Sequence, residues 1–258
     1  MAKILVGVKF SLKVDNLIMD PRTLEVKEDE TPKQMGDMDK RALEEALRIK
    51  EKTNGEVTVI SIGPPDAKKI LMEAYAMGAD KAYLLPVESI PDTHVVSRII
   101  AEFYNKHGPY DLIILGASST DSFTSTLGAR VAGLLGIPIL PFAKKIEIEG
   151  DEVTIESELG DGTYKFKSKM PAVVTVTLEI NEPRIPTLKD ILKAKRRQIF
   201  EISPNELGVD IGESLVKISE VKAYEEKRKN IIFDASDPSK IGEIIDKLIE
   251  HLREEGVL

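Results

Sequence analysis

Residues 111–138 restrict the fold more than any other stretch of the chain. Leu112 to Leu115 is a short, wholly apolar run that stops at Gly116. Such a run reads as a strand buried on both faces, the kind that fills the middle of a parallel sheet. A helical segment is expected from Thr124 to Leu135, so the connection between them opens at a helix N-terminus on the carboxyl edge of the sheet. A junction of this kind offers backbone N–H groups and the helix dipole to an anion, most often a phosphate. Seven of the nine residues from Ser118 to Thr126 are Ser or Thr, with Asp121 among them. An isolated loop of this composition is as often merely solvated. Its place after a buried strand favours a bound nucleotide. Gly128 and Gly133 are expected to let the helix approach its neighbours closely.

The rest of the chain repeats the strand–helix alternation. Lys3–Lys9, Glu56–Ile62 and Lys81–Leu85 read as strands, and Asp37–Thr53, Asp66–Met77 and Asp92–His107 as helices. In the first helix Met38, Ala42, Leu43, Ala46, Leu47 and Ile49 recur at helical spacing, with charges expected on the other face. Gly78 suits a helix C-cap. Residues 10–36 are irregular, with a short hairpin expected around Asp20-Pro21-Arg22. This alternation predicts an α/β fold with a mostly parallel sheet and right-handed crossovers. After Pro141 the pattern changes. Ala143–Glu149 and Val153–Leu159 flank a turn at Gly150-Asp151-Glu152, Tyr164–Lys169 adds an antiparallel strand, and Ala172–Leu178 returns to the main sheet. The core domain is expected over residues 1–200. Residues 201–258 form an arm with a charged run from Lys222 to Lys229 and a final helix from Pro238 to Glu255, too poor in core to fold alone and so expected to pack on a partner.

Composition closes several doors. With no cysteine there is no disulfide, no thiolate metal site and no thiol nucleophile. A net charge of −8 argues against nucleic acid as the main partner. No apolar run reaches the roughly 18–20 residues of a membrane span, and no secretory leader layout is present, so a cytoplasmic address is the default. The three histidines, His94, His107 and His251, lack metal-ligand spacing. There is no Gly-x-Ser-x-Gly elbow, no Walker-type Gly-Lys-Ser/Thr and no Gly-x-Gly-x-x-Gly. No catalytic residue is assigned. Further on, Glu182-Pro-Arg184 leads into a basic helical segment carrying Lys193, Arg196 and Arg197. It reads equally well as a solvated helix end or as a positive docking patch on an acidic protein.

Four blocks, in order and nearly end to end, make the chain resemble the β subunit of electron-transfer flavoprotein. They are Ile4 to Lys9; Met38 to Ala46 with Val57 to Pro64 and Ala76 to Asp80; Gly116 to Gly128 with Leu135 to Pro138; and Met170 to Val176 leading into Glu182-Pro-Arg184 and Leu188 to Lys195. The resemblance implies a Rossmann-like domain with flanking helices, an added antiparallel hairpin and a C-terminal arm that wraps an α subunit. It implies a heterodimer in which the α subunit carries a redox-active FAD near the boundary, while the β subunit holds AMP or, in electron-bifurcating members, a second FAD. Positions matching the family's nucleotide contacts are Gly7, Gly36, Asp37, Met38, Asp39, Ile62, Gly116, Ala117, Ser118, Ser119, Thr120, Asp121, Ser122, Phe123, Thr124, Ser125, Thr126 and Leu127. Leu188 matches an exposed leucine that anchors partner dehydrogenases, and Lys193 and Arg196 match its basic neighbours. Electrons would then pass between dehydrogenases or NADH and a quinone-side oxidoreductase or ferredoxin, with bifurcation as one form of the activity.

The chain departs from the family pattern in two places. Gly36-Asp37 stands where many members have Asn-Pro, and residues 11–20 and 36–42 lack the aromatic that often lies beside the α-subunit flavin. A universal-stress-type ATP- or AMP-binding regulator is the alternative, but its Gly-rich loop is missing. An adenylating enzyme of the pyrophosphatase-loop kind would need a Ser-Gly-Gly-x-Asp-Ser loop where Lys9-Phe10-Ser11-Leu12 stands.

Overall fold

The computed structural model describes residues 1–89, 91–216, 218–222 and 230–258. Contacts divide the chain into two units, Met1–Lys222 and Ala223–Leu258. Most of the charged run expected over Lys222–Lys229 lies outside the described residues.

In chain order the elements of the first unit begin with β1 (Lys3–Gly7), β2 (Phe10–Leu12), β3 (Lys33–Met35), α1 (Asp37–Thr53), β4 (Glu56–Gly63), α2 (Lys68–Met77) and β5 (Lys81–Pro86). There follow α3 (Thr93–His107), β6 (Leu112–Gly116), α4 (Leu127–Leu135), β7 (Ile139–Glu149), β8 (Glu152–Leu159) and β9 (Gly162–Lys169). The unit ends with β10 (Ala172–Val176), α5 (Leu188–Ala194) and β11 (Phe200–Glu201). One nine-stranded sheet, in the order β11-β5-β4-β1-β6-β10-β7-β8-β9, holds all strands but β2 and β3, which pair with each other. From β11 to β7 every pairing is parallel. The β7–β8–β9 ribbon is antiparallel, as the turn at residues 150–152 predicts.

Alternation along the strands builds the two cores. Ile4 and Val6 of β1 face the cluster formed with Leu43 and Leu47 of α1 and Leu71 of α2, while Leu5 between them faces Ile99 and Phe103 of α3 and Val131 of α4. Both faces are therefore covered, which is what lets the central strands be uniformly apolar. Helix α1 carries acids in its first turn (Asp37, Asp39) and bases in its last (Lys50, Lys52), matching its dipole. It ends where Asn54 turns left-handed and its N–H donates to the Lys50 carbonyl. Near residue 20 the expected turn forms: Asp20 accepts from the N–H groups of Arg22 and Thr23, and Met19 bridges Val26.

Beyond residue 200 the chain still contributes to the first unit. β11 pairs with β5, Leu207 and Val209 are buried against the α3 face, and Asp92 accepts from the N–H groups of Leu215 and Val216. In the second unit the described residues form α6 (Ile241–Glu254), with Ile241, Ile245 and Leu248 exposed at helical spacing. No helix among the described residues is long and apolar enough to cross a membrane.

Candidate functional site

The chain runs from β1 outward to β4 and β5, then returns to place β6 on the other side of β1. The strand order reverses between β1 and β6, so the connections that follow them lead to helices on opposite faces of the sheet, the place where open α/β sheets bind ligands. Val6 lies beside Ile114 in the register, which puts Gly7 and Gly116 at the two lips.

Glycine at these positions lets the elements close up. A Cβ on Gly116 would sit 2.5 Å from Asp39 Oδ1 and 3.2 Å from the Asp39 backbone nitrogen. One on Gly36 would sit 2.7 Å from Asp39 Oδ2, and one on Gly7 2.7 Å from Leu115 Cδ2. The first turn of α1 thus lies directly against the end of β6. Asp39, although on a helix, is buried there and accepts from the Lys9 N–H at 2.8 Å and from the Gly116 N–H. Burial pushes its carboxyl up to about 7, against the pull of the Lys9 N–H, the Lys9 ammonium and the Gly116 N–H.

The hydroxyl loop is tied to the strand β1 continuation. Lys9 Nζ lies 2.5 Å from Asp121 Oδ1, 3.3 Å from Ser119 Oγ and 3.2 Å from Ser122 Oγ. The Leu12 N–H donates to Asp121 Oδ2 at 3.2 Å. Burial alone would raise the Asp121 carboxyl, but hydrogen bonding and charge from Lys9, with Ser119 and the Leu12 N–H, hold it below the usual carboxylate range. Phe123 and Ser125 adopt left-handed backbone, with φ of 46° and 50°. These two residues prevent the helix from starting at Thr124. It starts at Leu127, after Thr126, and no side chain caps it.

The structure therefore links Gly36, Asp39 and Gly116, and through Lys9 also Ser119, Asp121 and Ser122, with Asp37 and Met38 in the same helical turn; Gly7 meets Leu115 instead. Ala117 is buried and its N–H donates to the Val176 carbonyl. Ser118 and Thr120 lie in the same loop, and Phe123, Thr124, Ser125, Thr126 and Leu127 continue it into α4, with Phe123 69% exposed. Ile62 reaches the carboxyl end of β4, but its side chain packs in the core on the α3 face. Gly128 does allow close approach, since a Cβ there would overlap Thr175 Cγ2; around Gly133 nothing lies within 4 Å, so it serves no such purpose.

A second feature begins at Asn181. Its Nδ2 donates to the Arg41 carbonyl and Glu45 Oε2, both at 3.1 Å. Arg184 Nε lies 2.8 Å from Glu44 Oε2 and Arg184 Nη1 2.6 Å from Glu51 Oε1. Burial opposes ionisation of Glu44, yet its hydrogen bonds from Arg184 and Arg48 hold the carboxyl low. The charges of α1 are thus not all on a solvated face: Glu44 and Glu45 are buried because the 181–184 segment lies over them. Beyond this clamp Ile185 and Leu188 project, 92% and 72% exposed. Helix α5 is capped by a Thr187/Asp190 box and packs on α2. Lys193, Arg196 and Arg197 are all exposed there, and Arg197 reaches across the Tyr75 ring to the Asp80 carbonyl. Two open grooves of about 420 and 410 Å³ flank residues 183–186, and neither includes the hydroxyl loop. They mark the clamped segment, not the switch-point crevice.

Sequence reasoning missed Lys9, the Leu12 N–H and the Arg184 clamp. A basic residue just past a central strand, with one acid inside the facing loop, is the signal that could have found the first.

Residues 23–207 match the electron transfer flavoprotein domain. The electron transfer flavoprotein subunit beta of Thermoanaerobacterium thermosaccharolyticum is 34% identical, covering 99% of both chains. That of Megasphaera elsdenii is 29% identical over 99% of this chain and 100% of its own. The human subunit is 38% identical over 69% of this chain and 71% of its own. The chain belongs to the electron transfer flavoprotein β-subunit family.

Proposed function

We propose that this chain is the β subunit of a heterodimeric electron-transfer flavoprotein, assembled with an α subunit that carries FAD. The chain itself holds AMP or a second FAD in the crevice between β1 and β6. The single observation that carries this reading is the convergence of Gly7, Gly36 to Asp39 and the Gly116–Leu127 loop at the switch point of a chain of this family. The residues present fit a nucleotide. Gly36 and Gly116 let the first turn of α1 close against the end of β6, and the loop supplies neutral hydroxyl and N–H donors at the start of α4, where a phosphate is favoured.

The flavin supplies the electron-accepting and electron-releasing chemistry. The protein residues bind and orient. Met38 and the first turn of α1 wall one side of the crevice, and residues 116–127 wall the other. Leu188, with Lys193 and Arg196 nearby, presents an apolar anchor beside positive charge to redox partners, a combination suited to fast, transient docking. The test is to co-purify the chain with its α subunit, denature the complex, and quantify FAD and AMP per heterodimer. One FAD and one AMP mean a plain electron carrier between dehydrogenases and a quinone-side acceptor. Two FAD and no AMP support bifurcation, whereas a complex without flavin refutes the proposal.

A further inference from the structure

We propose that Lys9 and Asp121 form a closed latch that sets the shape of the hydroxyl loop, and that the Lys9 ammonium is a positioning group, not a ligand of the nucleotide phosphate. The inference rests on the nucleotide reading above and refines which of its residues do the binding. A lysine beside a phosphate site is ordinarily taken as the phosphate's counter-charge. Here the donor inventory says otherwise. An ammonium has three protons, and Lys9 Nζ already has three acceptors at 2.5, 3.3 and 3.2 Å: Asp121 Oδ1, Ser119 Oγ and Ser122 Oγ. Its charge is likewise answered by Asp121, whose side chain is only 11% exposed.

The same geometry ties up the two hydroxyls. Ser119 Oγ and Ser122 Oγ both accept from Lys9 and lie 2.7 Å apart, so one of their two protons is engaged between them. A phosphate brings only acceptors, so the pair has at most one proton to offer it, and most of the task falls to the loop beyond Ser122. That part needs holding. Phe123 and Ser125 follow the latch in left-handed backbone, a conformation that a residue with a side chain keeps only where its surroundings hold it. Lys9 is fixed at both ends, its ammonium by Asp121 and its N–H by Asp39, and Leu12 adds a second strut to Asp121.

Asp121→Asn separates the two roles. It is nearly isosteric and frees the ammonium. The full chain, co-purified with its α subunit and stripped of the β-site nucleotide, is titrated with AMP and separately with FAD. A latch predicts that the nucleotide bound by the unaltered protein binds about ten- to a hundredfold more weakly to Asp121→Asn. It also predicts that the Lys9→Met/Asp121→Asn pair is no worse than the worse single variant. Unchanged or tighter binding in Asp121→Asn puts Lys9 on the phosphate and overturns the proposal, as do fully additive losses. Ser122→Ala keeps both charges and folds independently of that substitution. The latch predicts a loss of about threefold or less, and a loss beyond tenfold makes Ser122 a phosphate donor and overturns it. An unaltered complex that binds neither nucleotide refutes the function proposed above and the latch with it.

Discussion

Replacing Gly116 with alanine should break the contact on which the site is built. The added Cβ would lie 2.5 Å from Asp39 Oδ1, 3.0 Å from Met38 Cβ and 3.2 Å from Asp39 N. Only the first of these could swing away; the other two move only with the backbone of α1. The helix must therefore retreat from β6, or β6 must bend. Overpacking of this kind costs about 1–3 kcal/mol. Retreat of α1 also pulls the buried Asp39 carboxylate from the N–H groups of Lys9 and Gly116, adding about 1–3 kcal/mol. Alanine stiffens the unfolded chain and returns about 0.4–1 kcal/mol. The net loss is about 1–6 kcal/mol, and at roughly 2–4 °C per kcal/mol for a unit of this size the midpoint should fall by about 2–24 °C. Thermal unfolding by circular dichroism measures this, with bound AMP and FAD quantified on the same preparation. Gly133→Ala, where nothing lies within 4 Å, is the matched control and should be neutral or slightly stabilising. A Gly116→Ala protein that keeps both its midpoint and its nucleotide would refute the claim that α1 must touch β6.

Two further perturbations address the buried carboxylates. Asp39 titrates near 7 when folded and near its ordinary 3.8 when unfolded, so between these values the folded state holds the extra proton. Its contribution is fully present below pH 4 and is lost as pH rises through 7. The stability of the natural chain relative to Asp39→Asn should therefore decline between about pH 4 and 7, by up to about 1.4 kcal/mol per unit, then level off. Guanidinium unfolding across that range checks it, and a flat difference would place Asp39 outside the buried set. Arg184→Met should cost about 2–4 kcal/mol, because it leaves the buried Glu44 with Arg48 alone. Glu51→Gln, at the exposed end of the same guanidinium, should cost well under 1 kcal/mol by the same unfolding assay.

The sheet was legible because its information is local. Buried strands such as Leu112–Leu115 and Ala172–Val176 announce themselves by uninterrupted apolar runs, and α1 by apolar residues at a 3.6 period. Element ends were legible where one residue decides them, as at Gly78. They were not where backbone strain decides. Nothing in the composition of residues 124–126 says that Phe123 and Ser125 turn left-handed and delay α4 to Leu127. The solvated face assigned to α1 failed for a different reason. Periodicity sorts charges as outward-facing by default, and only a distant partner reverses that. Glu44 is buried because Arg184 and the 181–184 segment arrive from far along the chain.

The hydroxyl loop shows where composition misleads about how many donors a loop can offer. Seven hydroxyls in nine residues set a ceiling on the donors a ligand could meet. How many remain depends on what else competes for them. The strongest competitor is a lysine more than a hundred residues upstream, placed opposite the loop only because β1 and β6 are neighbours in the sheet. With Lys9 and Asp121 paired, the hydroxyl oxygens of Ser119 and Ser122 both accept from the same ammonium. The loop therefore divides by function, although its sequence reads as uniform. Its first half is tied to Lys9 beyond β1, and its second half runs without a side-chain cap into α4. A chain that kept every hydroxyl but lost Asp121 would keep the composition of a nucleotide site without its geometry.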